Sequence, residues 1–97
     1  MFVALIYDDR ARRRVRKEHM GAHLDYLERE KDRILVAGTL RDEPGDSPKG
    51  ALWIIDASDK EEAESVCKGD PFFTGGLRKS VNVQHWSKAF PDRKTPV

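Results

Sequence analysis

The sequence has little cysteine and no long apolar stretch. Its single cysteine, Cys67, excludes an internal disulfide, and no Cys/His spacing resembles a zinc site. The longest apolar run is the five residues from Phe2 to Ile6, whereas a helix needs roughly 20 apolar residues to cross a bilayer. No secretory signal is recognisable. We therefore expect a cytoplasmic protein that binds neither a metal nor a membrane.

Net charge is nearly absent as well, because 18 Lys and Arg stand against 17 Asp and Glu. So weak a field predicts no attraction to nucleic acid. Six basic residues without an acid nevertheless lie between Arg10 and Lys17. A solvated helix start is the first interpretation of this run and an anion gate to a pocket the second. A nucleic-acid surface is third, since only 8% of residues are aromatic and most of them lie in predicted strands.

The apolar patterns predict one domain over residues 1–97, with a surface tail at 87–97. Four strands are predicted at 2–7, 34–40, 51–55 and 80–86, and two helices at 13–31 and 59–68. A capping box of Ser58 and Glu61 is expected to start the second helix, and Asp70-Pro71 to extend the chain after it. The order βαββαβ indicates an α+β, ferredoxin-like fold, a four-stranded antiparallel sheet with both helices on one face.

The other face of this sheet has no helix to shield its apolar side chains from water. Runs such as Leu52 to Ile55 place large side chains on both faces of the sheet. Sheet-to-sheet packing of two subunits would bury them, so we expect a homodimer.

Two residues are candidates for acid–base chemistry. His23 lies in the middle of the first helix on its inward arc, and Asp70 lies in a Gly-Asp-Pro turn. A core or dimer-contact histidine and a turn-capping aspartate are the simpler interpretations. Because both helices pack on one face, however, the end of the second can approach the first. Asp70 could then hold one N–H of His23 and leave the other nitrogen to take a substrate proton, which typically contributes about 10²–10⁴-fold in rate.

Several short motifs together resemble the YCII-related (YciI-like) family over nearly the whole chain. They are the strand ending at Tyr7, Ala22-His23-Leu24, Val36 to Leu40, Asp70-Pro71-Phe72 with Gly75-Gly76-Leu77, and Val83 to Trp86. The resemblance implies a dimeric α+β barrel, no cofactor, and a site built on His23 and Asp70. The family includes a dehydrochlorinase of a chlorinated hydroxyhydroquinone, and its fold is similar to that of muconolactone isomerase.

Further residues are expected to contact a phenolic substrate. Arg16 lies two turns before His23 on the same helix face, with His19 between them, and this row would bind a phenolate. Many family members carry an arginine three residues before the histidine; Met20 stands there in this chain, and Arg16 is the candidate replacement. The remaining expected contacts are Tyr7, Gly38, Phe72 and Phe73. A solvated helix start for Arg16 and core packing for the aromatics are the alternatives.

These expectations combine into a function. The first hypothesis is a cofactor-free lyase that converts a chlorinated hydroxyhydroquinone into a quinone in aromatic-compound catabolism. An isomerase similar to muconolactone isomerase and a non-catalytic dimeric module that binds a small aromatic or phenolic acid are the alternatives. A ferredoxin-like nucleic-acid-binding domain is the least supported.

Overall fold

A computed structural model describes all 97 residues, Met1–Val97. The elements are β1 (Phe2–Asp8), a short 3-10 helix (Arg10–Arg12), α1 (Arg14–Arg29), β2 (Ile34–Leu40), β3 (Gly50–Ile55), α2 (Lys60–Lys68), α3 (Pro71–Thr74) and β4 (Arg78–His85). The strands form one antiparallel sheet in the order β2-β3-β1-β4. This topology confirms the α+β, ferredoxin-like prediction.

The alternation of β1 sorts its side chains between the two faces of the sheet. Ala4 and Ile6 are buried on the helix-covered face, where their partners in β3 are Trp53 and Ala51. Helix α2 adds Ala63, Val66 and Cys67 to the same core. None of the helices combines the length and the hydropathy that crossing a membrane requires.

Helix α1 begins later than the pattern predicts. The chain first makes the 3-10 helix, which starts where the Asp9 carboxylate accepts a hydrogen bond from the Ala11 amide at 3.0 Å. Along α1, His23 and Tyr26 are buried and His19 is half-buried. The Tyr26 hydroxyl donates to the Val66 carbonyl at 2.6 Å, so this bond joins α1 to α2.

Two local predictions at α2 and its end were wrong. The cap of α2 is Asp59, whose carboxylate accepts from the Glu62 amide at 2.8 Å, while Glu62 accepts from the Ser58 amide at 3.0 Å. The cap thus lies one residue later than predicted, and Glu62 bonds the amide of the residue before the cap. After α2, only Asp70 is extended, and Pro71 opens the one-turn helix α3. Proline suits this position because the first N–H of a helix has no partner inside it.

Candidate active site

The structure brings His23 and Asp70 into direct contact. His23 comes from the middle of α1, and Asp70 is the fully buried N-cap of α3. Their Nδ1 and Oδ1 atoms lie 2.6 Å apart, and the same Oδ1 accepts from the Phe72 amide at 3.1 Å. An ionised carboxylate only accepts hydrogen bonds, so the contact favours the tautomer with the hydrogen on Nδ1. Nε2 then remains free, and it has no hydrogen-bond partner in the chain.

Aromatic rings hold the imidazole in place. Its ring stacks on Phe72, and Trp53 lies farther off, with centroids 6.5 Å apart and planes tilted by 36°. Phe72 is fully buried in α3 and Trp53 is buried in β3. Since one edge of the His23 ring is bonded to Asp70 and one face is covered, its orientation is set by the fold.

His23 lines a small cavity between α1 and the sheet, about 140 Å³ in volume. A cavity of roughly 150 Å³ can hold a benzene-sized ligand. Its walls include Arg16, Met20, His23, Gly38, Trp53 and Arg78. No carboxylate lines it, and the charged groups there are two arginines. The cavity therefore suits a small ring whose oxygen atoms accept hydrogen bonds from these guanidinium groups.

Asp8 holds both of these arginines. Its Oδ2 lies 2.7 Å from Arg16 Nη2 and its Oδ1 lies 2.8 Å from Arg78 Nη1. Arg78 Nη2 in turn lies 3.5 Å from Asp70 Oδ2. Charges thus alternate along the row Arg16, Asp8, Arg78, Asp70, and the row ends at His23. Arg78 is almost entirely buried, and its Nε, like Asp70 Oδ2, has no hydrogen-bond partner.

The other expected contacts are distributed unevenly around this site. Gly38 and Arg16 line the cavity, and Phe72 backs the His23 ring. Tyr7, His19 and Phe73 do not line it: Tyr7 is 43% exposed on β1, His19 is half-buried, and Phe73 follows Phe72 in α3.

Sequence reasoning missed Asp8 and Arg78. Asp8 was only the polar residue after the first predicted strand at 2–7, and Arg78 had no assigned role. They face each other because the register of β1 on β4 shifts between Tyr7 and Asp8, which places Asp8 opposite Arg78. Both residues lie just outside the strands predicted at 2–7 and 80–86, so the sequence pattern did not pair them.

Two buried groups near the site hold their protons strongly. Burial raises the pKa of the Cys67 thiol to about 12, with the charge of Asp70 adding to the effect. The thiol is therefore protonated and unreactive at neutral pH. Burial, and after it the charge of Glu30, raises the pKa of Tyr26 to about 12. No group of three or more His, Cys, Asp or Glu side chains is arranged to hold a metal ion.

Known proteins share both the sequence pattern and the fold. A family model described as the YCII-related domain matches residues 1–87. A solved structure of 5-chloro-2-hydroxyhydroquinone dehydrochlorinase from Burkholderia phenoliruptrix AC1100, in complex with 2,5-dihydroxybenzoquinone, is 29% identical with a TM-score of 0.77. The match covers 89% of this chain and 92% of that chain. No curated protein sequence matches the chain.

Proposed function

The chain belongs to the YCII-related family, and from that premise we propose that it is a cofactor-free lyase acting on a small oxygenated aromatic compound. The most concrete form of the proposal is dehydrochlorination of a chlorinated hydroxyhydroquinone to a quinone, in aromatic-compound catabolism. The observation that carries it is the buried His23–Asp70 contact of 2.6 Å at the wall of a cavity whose charged groups are arginines. The solved relative supports the substrate class, since it is a dehydrochlorinase with a dihydroxybenzoquinone bound.

In this mechanism His23 acts as general base and Asp70 orients it. Nε2 takes the proton of a ring hydroxyl, and the oxygen electron pair moves into the ring. The protonated His23 gives this proton to the carbon that bears chlorine, which yields the keto tautomer. His23 Nε2 then takes a second hydroxyl proton, the second carbonyl forms, and chloride leaves with the electron pair of the C–Cl bond. The net change is loss of HCl, so the step needs no oxidant.

The two arginines have a role in the same mechanism. Deprotonation places negative charge on a ring oxygen, and the cavity offers Arg16 and Arg78 as cations. Both are held by Asp8 before substrate binds, so they need little reorganisation when the charge develops. In this proposal they stabilise the phenolate.

We also propose that residues 1–97 act as one domain, with 87–97 as its tail, and that two copies pair as a dimeric α+β barrel. Val3, Leu5 and Leu52 share the helix-free face of the sheet and are only half-buried in the single chain. A second sheet would cover them. Light scattering should give twice the chain mass of 11.1 kDa, and a monomer at micromolar concentration would contradict the pairing.

Chloride release tests the lyase directly. The purified protein is mixed under nitrogen with 5-chloro-2-hydroxyhydroquinone, because hydroxyhydroquinones oxidise in air. We expect saturable release of chloride, with one quinone formed for each chloride. Absence of enzyme-dependent chloride would overturn the lyase. If 2,5-dihydroxybenzoquinone still raised the melting temperature in that case, the binding module would be the better description.

A further inference from the structure

A second cavity, about 230 Å³ in volume, lies at the start of the first helical segment. Three arginines line it, together with two aspartates and part of the β2–β3 loop. The arginines are Arg10, Arg13 and Arg16, and the loop contributes Ser47 and Pro48. We call it the outer cavity. Its three arginines are half of the six basic residues between Arg10 and Lys17. The proposed lyase mechanism uses only Arg16 among them.

Two of the three arginines are free to bind a ligand. Arg10, Arg13 and Arg16 are spaced three residues apart, so they follow one face of the helical turns. Arg16 is bound to Asp8. The side chains of Arg10 and Arg13 make neither an ion pair nor a hydrogen bond in the chain, although both line the outer cavity.

The acids near these arginines already have partners. Asp8 is shared between Arg16 and Arg78, and the Asp9 carboxylate caps the 3-10 helix. Asp42 of the β2–β3 loop, whose charge interacts with that of Arg10, is paired with Lys49 at 2.6 Å. The cavity therefore offers two guanidinium groups without an ion pair, and its one carboxylate without an ion pair, that of Asp9, is hydrogen-bonded to a backbone amide.

We propose that the outer cavity is a binding site for a small oxyanion of the phosphate type, held by Arg10 and Arg13 with Arg16 at its inner wall. Guanidinium groups bind such anions through paired N–H donors. Arg16 lines both cavities, so the site adjoins the candidate active site. Binding of the anion does not depend on the proposed lyase reaction, and its test uses no aromatic substrate.

Inorganic phosphate is the probe. It is titrated into the ¹⁵N-labelled full chain at constant ionic strength, with chloride as the balancing anion, and amide shifts are followed by NMR. We expect saturable one-site binding with shifts concentrated around Arg10 to Arg16 and Ser47. The double substitution Arg10→Gln with Arg13→Gln should weaken binding at least about tenfold, because two charge-assisted contacts are lost.

A matched control separates a site from a merely positive surface. Arg14 and Lys17 belong to the same basic run and are exposed, but they do not line the outer cavity. Arg14→Gln with Lys17→Gln removes the same charge and should leave phosphate affinity within about twofold. An equal loss in both double variants, or no saturable binding by the unmodified chain, would overturn the proposal.

Discussion

The His23 imidazole lies flat on the Phe72 ring, with centroids 3.8 Å apart and planes 7° from parallel. Phe72 belongs to α3, the same one-turn helix that Asp70 caps. This short element therefore supplies both the edge contact and the face contact of the imidazole. A change that moves α3 should disturb the candidate base even when it leaves His23 itself intact.

Replacing His23 tests the candidate base. His23→Gln should lower the rate of chloride release by about 10²–10⁴-fold, because the proton acceptor is lost. His19→Gln is the matched control, since His19 lies one turn earlier and does not line the cavity. Its rate should stay close to that of the unmodified protein. Loss of activity in the control with retention in His23→Gln would move the base to His19.

Asp70 both orients the imidazole of His23 and caps α3, and Asp70→Asn tests the first role while keeping the second. Asparagine is as good an N-cap as aspartate, so α3 should remain formed. It removes the negative charge next to His23 and Arg78, and we expect chloride release to fall about 10²-fold. Asp59→Asn makes the same change at the cap of α2 and should not alter the rate. Full activity of Asp70→Asn would contradict the positioning role.

Arg78 lies between Asp8 and Asp70 in the charged row, and we expect it to contribute strongly to the stability of the folded protein. Arg78→Gln leaves Asp8 and Asp70 buried with one cation fewer, so the free energy of unfolding should fall by about 3 kcal/mol. Urea denaturation measures this loss. The exposed neighbour Lys79 is the control, and Lys79→Gln should change stability by less than about 0.5 kcal/mol. Equal denaturation midpoints for the two variants would disprove the prediction.

The raised pKa of Tyr26 leads us to expect that the free energy of unfolding falls in alkali. Its pKa rises from 10.0 to about 12 in the folded chain, so its contribution is complete below pH 10 and is lost as the pH rises towards 12. Tyr26→Phe removes this dependence and the hydrogen bond to Val66, which contributes about 1 kcal/mol. The deficit of the variant should therefore be largest at pH 8 and shrink by about 1 kcal/mol at pH 11. Cys67 is present in both proteins, so its titration does not affect the difference in stability between them. The exposed Tyr7 provides the control, and the difference in stability between Tyr7→Phe and the unmodified protein should not shrink in this way.

The elements of the sheet were predictable because their signals are local. The apolar stretch from Ile34 to Leu40 and the breakers after it predicted β2 with the bounds observed. Helix α3 was missed because Asp70-Pro71 suits an extended turn and a helix start equally well.

The site was predictable where topology alone brings residues together. Two helices on one face can meet, and this made a contact between His23 and Asp70 plausible from the order of elements. The contact between Asp8 and Arg78 depends on a one-residue register shift between β1 and β4, at which Lys79 of β4 is skipped. No composition or periodicity announces such a shift, because a bulge is decided by the packing of neighbouring strands.

The charged row joins distant parts of the chain, which has a consequence for folding. His23 and Asp70 are 47 residues apart, and Asp8 and Arg78 are 70 apart, since β4 is the last strand. Contacts of such long sequence separation require closure of large loops and form late. During refolding from urea, helical signal should thus return before activity, and recovery of activity should report the pairing of β4 with β1 at the edge of the sheet.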